Sequence, residues 1–207
     1  MKKTFLLSLM VSFFWGLEAQ ELKPIKLNRP DTKRGLPVMS ALAKRQSVRE
    51  YASKALSLQD LSDLLWAANG INRPGSGKRT APTAMNKQEI DVYVCLPEAA
   101  YLYEVKTHTL QPVFKGDLRP AVGGGQAFVA DAPVCLLLVG NLDKFNGEVL
   151  MPAMDAGIVS QNISLFCAGS GLVTVPRASM DHAQLKTALK LKESQRPLMN
   201  HPVGYAK

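Results

Sequence analysis

The chain has 207 residues, 46% of them hydrophobic, and a formal net charge of +8. That length and apolar content suit one domain with a substantial core, and they exclude a collagen-like, disordered or disulfide-stapled mini-scaffold. Cys95, Cys135 and Cys167 each sit inside an apolar stretch with no paired spacing, so buried free thiols are expected.

The chain opens with Met1, Lys2 and Lys3, continues through an apolar run over residues 4–17, and reaches Glu18-Ala19-Gln20. A charged start, a short apolar centre and a small residue are the pattern of a secretory signal, which predicts residues 1–19 as a leader and a mature start near Gln20. The apolar centre is too short for a comfortable membrane span, and no later stretch is long and apolar enough to cross a bilayer. No cysteine stands near position 20, which argues against a lipid anchor. The expectation is an exported protein, in bacterial style periplasmic, with no stable membrane insertion after cleavage. Loss of Lys2, Lys3 and Glu18 lowers the net charge by only one, so the mature chain stays basic. Its basic residues are dispersed and not interleaved with aromatics, so nucleic acid is not an expected partner.

Residues 20–37 carry Pro24, Pro30, Gly35 and Pro37 among polar residues and predict an extended arm. The domain proper is expected from 38 to 207. A short helix over 40–44 delivers Arg45-Gln46-Ser47-Val48-Arg49 onto the turn that follows it. A better-marked helix starts at Ser57, with Asp60 three residues on. It carries Leu58, Leu61, Leu64, Leu65 and Ala68 on one face and stops at Gly70. Residues 72–77 read as a loop leading to Thr80-Ala81-Pro82-Thr83-Ala84-Met85-Asn86-Lys87-Gln88. Alternation then predicts a strand over 90–94 and a hairpin from 101–105 and 109–114. A looser stretch over 116–127 contains Gly123-Gly124-Gly125. Residues 132–140 read as a strand buried on both faces. Pro152 opens a long helix to about 168, small or apolar on most of its surface. A strand over 171–175, a helix over 181–191 and a last strand over 201–205 complete the chain.

Two segments carry candidate chemistry. Arg45, Ser47 and Arg49 put two guanidiniums and a hydroxyl within five residues, which suits an anion, although the same residues would equally make a solvated turn. Asn86 and Gln88 place amide side chains on a turn before a strand, suited to the edge of a heterocycle or simply to the turn itself. Other chemistries fail on spacing. Residues 75–80 resemble a P-loop only superficially, because Arg79 stands where Ser or Thr is needed. His108, His182 and His201 are isolated from acidic or cysteine neighbours, so no metal site is expected. Ser170 is not in a nucleophile-elbow motif.

Taken together, the Arg-x-Ser segment, the Pro-Thr-x-x-Asn-x-Gln segment one helix and loop later, the stretch from Gly171 through Pro176 to Asp181, and the closing Gly204-Tyr205-Ala206-Lys207 resemble the nitroreductase family. Tyr101-Leu102-Tyr103 and residues 126–133 are similar to its SagB-type branch. The resemblance runs from about residue 38 to the end. It implies an α+β sandwich with a central mixed, mainly antiparallel sheet flanked by helices, and a homodimer with FMN at the interface. In this reading Arg45, Gln46, Ser47 and Arg49 hold phosphate and ribityl groups, and Lys207 is a further phosphate candidate. Asn86 and Gln88 meet the ring edge, and backbone groups at Pro176, Ala178 and Ser179 face flavin N5. Classical members have Glu-Gly where Ala178-Ser179 stand here, a departure that reshapes the substrate face.

The resemblance implies oxidoreduction in which the flavin carries the chemistry and no side-chain acid is required. NAD(P)H or another reductant would donate hydride at N5, and an electron-poor small molecule such as a nitroaromatic or quinone would accept. The alternatives are a SagB-like dehydrogenase of a small or peptide substrate, and a non-enzymatic flavin- or anion-binding protein of the same fold.

Overall fold

A computed structural model describes residues 21–207. The expected leader at 1–19 lies outside the described residues. The elements are β1 (Ile25–Lys26), α1 (Val38–Lys44), α2 (Leu58–Asn69), β2 (Ile71–Arg73), β3 (Lys78–Arg79), β4 (Ile90–Cys95), β5 (Ala99–Glu104), β6 (Thr109–Lys115), α3 (Arg119–Gly123), α4 (Phe128–Asp131), β7 (Val134–Asn141), α5 (Leu150–Ser170), β8 (Leu172–Thr174), α6 (His182–Ala188) and β9 (Gln195–Tyr205). Seven strands form one sheet in the order β1-β6-β5-β4-β7-β9-β8, while β2 and β3 make a separate hairpin.

The sheet is antiparallel at every described pairing, not mixed as expected. The long helix α5 does connect two strands of the same direction, β7 and β8. The final strand, however, inserts between them and pairs antiparallel with both, so no parallel ladder forms.

Strand periodicity builds a core on each face. Val134, Leu136 and Leu138 of β7 join one cluster with Leu64, Leu65 and Ile163, beneath α2 and α5. Cys135, Leu137 and Val139 point the other way, to Val122, Val129 and Leu185 of α3, α4 and α6. The cysteines are buried and free as expected. Cys95 and Cys135 are nevertheless cross-strand partners in register, a pairing that spacing along the chain did not show. Burial pushes the Cys95 thiol up to about 12.

Local chemistry explains the helix boundaries. Ser57 Oγ accepts the Asp60 N–H at 3.0 Å to start α2. The stretch 116–127, read as loose, holds α3, which has a proline in its first turn and ends at Gly124 with φ +55°. A Cβ on Gly124 would stand 2.7 Å from Met180 Cα, so both conformation and space demand glycine there. Of the predicted loop at 72–77, residues 72–73 belong to β2 and 74–77 are the turn of the β2–β3 hairpin. The last strand starts at Gln195, six residues earlier than read, because a register shift between Leu138 and Val139 accommodates Pro197 inside it.

The arm is fastened rather than merely extended. β1 adds to the sheet edge beside β6. Arg34 pairs with Asp60 and with Asp63, the latter at 2.9 Å. His108 Nε2 lies 2.9 Å from the Asn28 carbonyl, which can only accept, so Nδ1 accepts from Tyr103 Oη at 2.8 Å.

Candidate functional site

At the C-terminal end of α1 the chain leaves the helix at Arg45, whose N–H still donates to Ala41 O at 2.9 Å. Val48 N–H then donates to Thr174 O at 3.0 Å, laying the segment alongside β8. Arg45 and Gln46 line a cavity of about 570 Å³ with Cys167 and Ala168 of α5, Val173 of β8, and Ala206. Lys207 follows Ala206 and is exposed, as are Arg45, Ser47 and Arg49. Among the described residues no carboxylate pairs with Arg45 or Arg49. Both guanidiniums are therefore outside any ion pair.

Pro176, Ala178 and Ser179 are exposed on the loop after β8, and Arg177 between them is 8% exposed. Arg177 donates to Asn200 Oδ1 at 2.6 Å, Gly123 O at 2.8 Å, Val122 O at 3.1 Å and Gln126 Oε1 at 3.1 Å. Its guanidinium also lies 5.6 Å from the centre of the Phe128 ring. Asn200 in turn donates to Ser179 O at 3.1 Å. A buried cation with four neutral acceptors thus ties this loop to α3 and β9. Burial lowers its pKa, and the nearby Arg49 charge adds to the effect while Cys135 and Tyr51 oppose it. Sequence reading passed over Arg177 in favour of the small residues after it. The signal available was an arginine directly after a proline in an otherwise apolar stretch.

Beside this cluster His201 is wholly buried between Ser160 Oγ at 2.7 Å and Thr174 Oγ1 at 3.1 Å. Thr174 Oγ1 donates to Pro202 O at 2.8 Å, so it accepts from His201 Nδ1–H, and Nε2 accepts from Ser160. Burial depresses this imidazole to about 3, so it is a neutral strut joining α5, β8 and β9. Among the described residues no group of three His, Cys, Asp or Glu side chains could hold a metal ion.

The second amide-bearing segment has a different character. Met85, Asn86 and Gln88 have φ of 53°, 53° and 50°, a cluster of left-handed conformations in non-glycine residues that the surroundings must enforce. Thr83 receives two of these amides: its carbonyl accepts Asn86 N–H at 2.9 Å, and its Oγ1 accepts Gln88 N–H at 2.8 Å. Gln88 Nε2 donates to Gly77 O at 3.0 Å and Asn86 Oδ1 at 3.3 Å, so Gln88 is engaged within the loop. Asn86 and Met85 are exposed.

From behind, Asp155 of α5 accepts Ala84 N–H at 2.8 Å. Lys144, on the turn after β7, donates to the carbonyls of Lys87 and Gln88 at 2.8 and 3.2 Å. Glu89 ends the loop and is 1% exposed, and neither of its carboxyl oxygens has a hydrogen-bond donor. Burial, with Asp155 beside it, pushes Glu89 up to about 7.

The structure places Arg45 and Gln46 on one cavity wall with Ala206, next to Lys207, with Ser47 and Arg49 exposed on the same segment, and holds the loop of Pro176, Ala178 and Ser179 farther along β9, at Asn200. It places Asn86 and Gln88 at the other half of α5. Asp155 and Ala168 are separated by about 20 Å of helix rise. One ligand touching both segments of a single chain must therefore be long.

The sequence matches the nitroreductase family over residues 42–205. A Methanocaldococcus jannaschii protein named as a nitroreductase is 29% identical over 194 residues, which span 87% of this chain and 96% of that protein. The crystal structure of a protein from Ralstonia eutropha described as a nitroreductase shares 37% identity and superposes with a TM-score of 0.83, covering 89% of this chain and 90% of that one. A protein from Clostridium acetobutylicum described as an NADH oxidase shares the fold at 20% identity, with a TM-score of 0.58 over 83% of this chain and 88% of its own.

Proposed function

We propose, for a chain that belongs to the nitroreductase family and has that family's general oxidoreductase role, that its redox group is FMN and that it works as a homodimer. The observation that carries the flavin reading is the exposed donor set of Arg45, Ser47 and Arg49, on the segment whose Arg45 lines the cavity beside β8. Two guanidiniums that are in no ion pair suit a phosphate dianion, and the exposed hydroxyl between them adds a neutral donor. Gln46 lines the wall, and Lys207 can add a further positive charge. The flavin reading takes a mononucleotide at this site. Its anionic end belongs with the arginines, and its ring edge with Asn86, which Gln88 holds in place. Backbone at Pro176, Ala178 and Ser179, braced by Arg177, faces the ring.

FMN, when bound, supplies a two-electron carrier that takes hydride from NAD(P)H or another reductant and passes it to an electron-poor small molecule such as a nitroaromatic or quinone. The chain's own residues bind and orient it, and no side-chain acid or nucleophile is needed.

The dimer reading rests on an apolar surface. Val38, Met39 and Leu42 of α1 and Leu150, Met151, Met154 and Ile158 of α5 are all more than a third exposed, on two helices that pack together. The leader-like residues 1–19 support export, and the tyrosine-rich β5 with residues 126–133 supports the SagB-type branch. The test is an absorbance spectrum of the chain without residues 1–19, taken after incubation with excess FMN and gel filtration. Flavin bands that co-elute with a dimer and bleach with NADH or NADPH are expected. A colourless protein would overturn the flavin reading.

A further inference from the structure

Glu89 is the most deeply buried acid among the described residues, and its two oxygens lack any donor. Its side-chain polar neighbour is the Asp155 carboxyl, itself 5% exposed and already accepting Ala84 N–H. Two carboxylates are both acceptors, so a hydrogen bond can join them only when one carries a proton. Two negative charges in this dry site, with no such bond, would repel. The other charged groups facing Glu89 are Lys144 from the turn after β7 and Arg79 of β3. Asp91, two residues along β4, shares Arg79 with it. Both cations are otherwise engaged: Lys144 Nζ donates to the Lys87 and Gln88 carbonyls, and Arg79 Nη1 reaches Ile90 O at 3.4 Å.

We propose that Glu89 and Asp155 form a carboxyl–carboxylate pair sharing one proton, which clamps the strained loop at residues 84–88 from behind and thereby positions Asn86. The pair touches neither reacting atoms nor the exposed face of the loop, so both are positioning residues. Asp155 holds the loop's first amide, Glu89 holds its last residue, and the shared proton joins the two anchors across a segment whose backbone would relax if released. The link to ligand binding rests on the flavin reading of Asn86. The pair itself does not.

The decisive comparison is the wild-type chain against Glu89→Gln, which keeps the size and is permanently neutral, with two readouts. The first is thermal melting of the flavin-free protein from pH 4.5 to 8.5. Glu89 binds its proton more tightly in the folded than in the unfolded chain, so its contribution is present at low pH and lost as pH rises through the folded value. The wild type should lose melting temperature relative to Glu89→Gln between about pH 4.5 and 7, and the difference should level off above that range. The second readout is FMN affinity. Wild-type affinity should weaken about tenfold more than that of Glu89→Gln between pH 6 and 8.5. Ionisation of the phosphate affects both proteins equally and cancels.

Should Glu89→Gln not fold, Asp155→Asn serves. It still accepts Ala84 N–H and offers Glu89 an amide donor, so the pH window should move to lower values. Coincident melting slopes in wild type and Glu89→Gln, or an unmoved window in Asp155→Asn, overturn the pair. A slope difference in a protein that binds no FMN upholds the pair and sinks the flavin reading instead.

Discussion

The two ends of α5 solve the problem of presenting polar groups in opposite ways. At its C-terminal end Arg45, Ser47 and Arg49 are exposed, carry none of the left-handed φ values and lack acidic partners. Beside its N-terminal half, Met85, Asn86 and Gln88 are held in left-handed conformations by Thr83, Gly77, Lys144 and Asp155. The first end stores unneutralised charge on relaxed backbone; the second stores backbone strain over buried acid. Charge of the first kind can be removed without disturbing the fold, whereas the second kind is part of the fold.

Four variants and a pH scan probe that contrast, from the largest expected effect to the smallest. Replacing both Arg45 and Arg49 with alanine removes two charge-assisted contacts, each worth about 1.5–3 kcal/mol. FMN affinity in a fluorescence titration should fall by two orders of magnitude or more, about 3–6 kcal/mol by the same arithmetic. The melting temperature should stay put, and a large drop would mean that the arginines are structural after all. Arg177→Met should do the reverse. It strips donors from Val122 O, Gly123 O and Asn200, and a loss of about 2–4 kcal/mol in urea denaturation is expected. Unchanged stability would show that Arg177 is not the brace.

Gly124→Ala sits next to that brace and should cost about 1–3 kcal/mol, because left-handed backbone and the Met180 main chain both resist a Cβ. Tyr205→Phe gives the smallest effect, about 1 kcal/mol, by removing one donor to Asp60. Although burial opposes it, hydrogen bonds from Ser57, Tyr205 and Arg34 hold Asp60 below the usual carboxylate range. Its stabilisation is therefore present above the unfolded value, near pH 4, and lost as pH falls below it. A melting scan from pH 5 to pH 2 should fall less steeply in Tyr205→Phe than in the wild type.

The same contrast explains what the sequence made legible. Periodicity located α2, β4, β5, β6, β7 and α5, because burial on one face or two leaves a pattern within each segment. The charges and the hydroxyl at 45–49 are plain in the sequence, and the structure leaves those side chains exposed. Whatever depended on another part of the chain was not readable. Arg177 is recognisable as a brace only once α3 supplies the Val122 and Gly123 carbonyls. Glu89 drew no attention in the sequence because its partner lies on α5, far along the chain. Pro197 hid the first half of β9, since a proline argues against a strand until a bulge at Leu198, in the same strand, makes room. The α3 turn was lost among three glycines for a related reason: only contact with Met180 reveals what Gly124 is for.

The insertion of β9 between β7 and β8 also fixes an order of events in folding. β8 makes ladder contacts with β9 alone among the described strands, so the edge of the sheet cannot close until the last stretch of chain has arrived. Synthesis or translocation that is still incomplete leaves β7 with one bare side and β8 with no partner, a non-local pairing that forms late. Commitment to the native sheet at this edge therefore waits on β9.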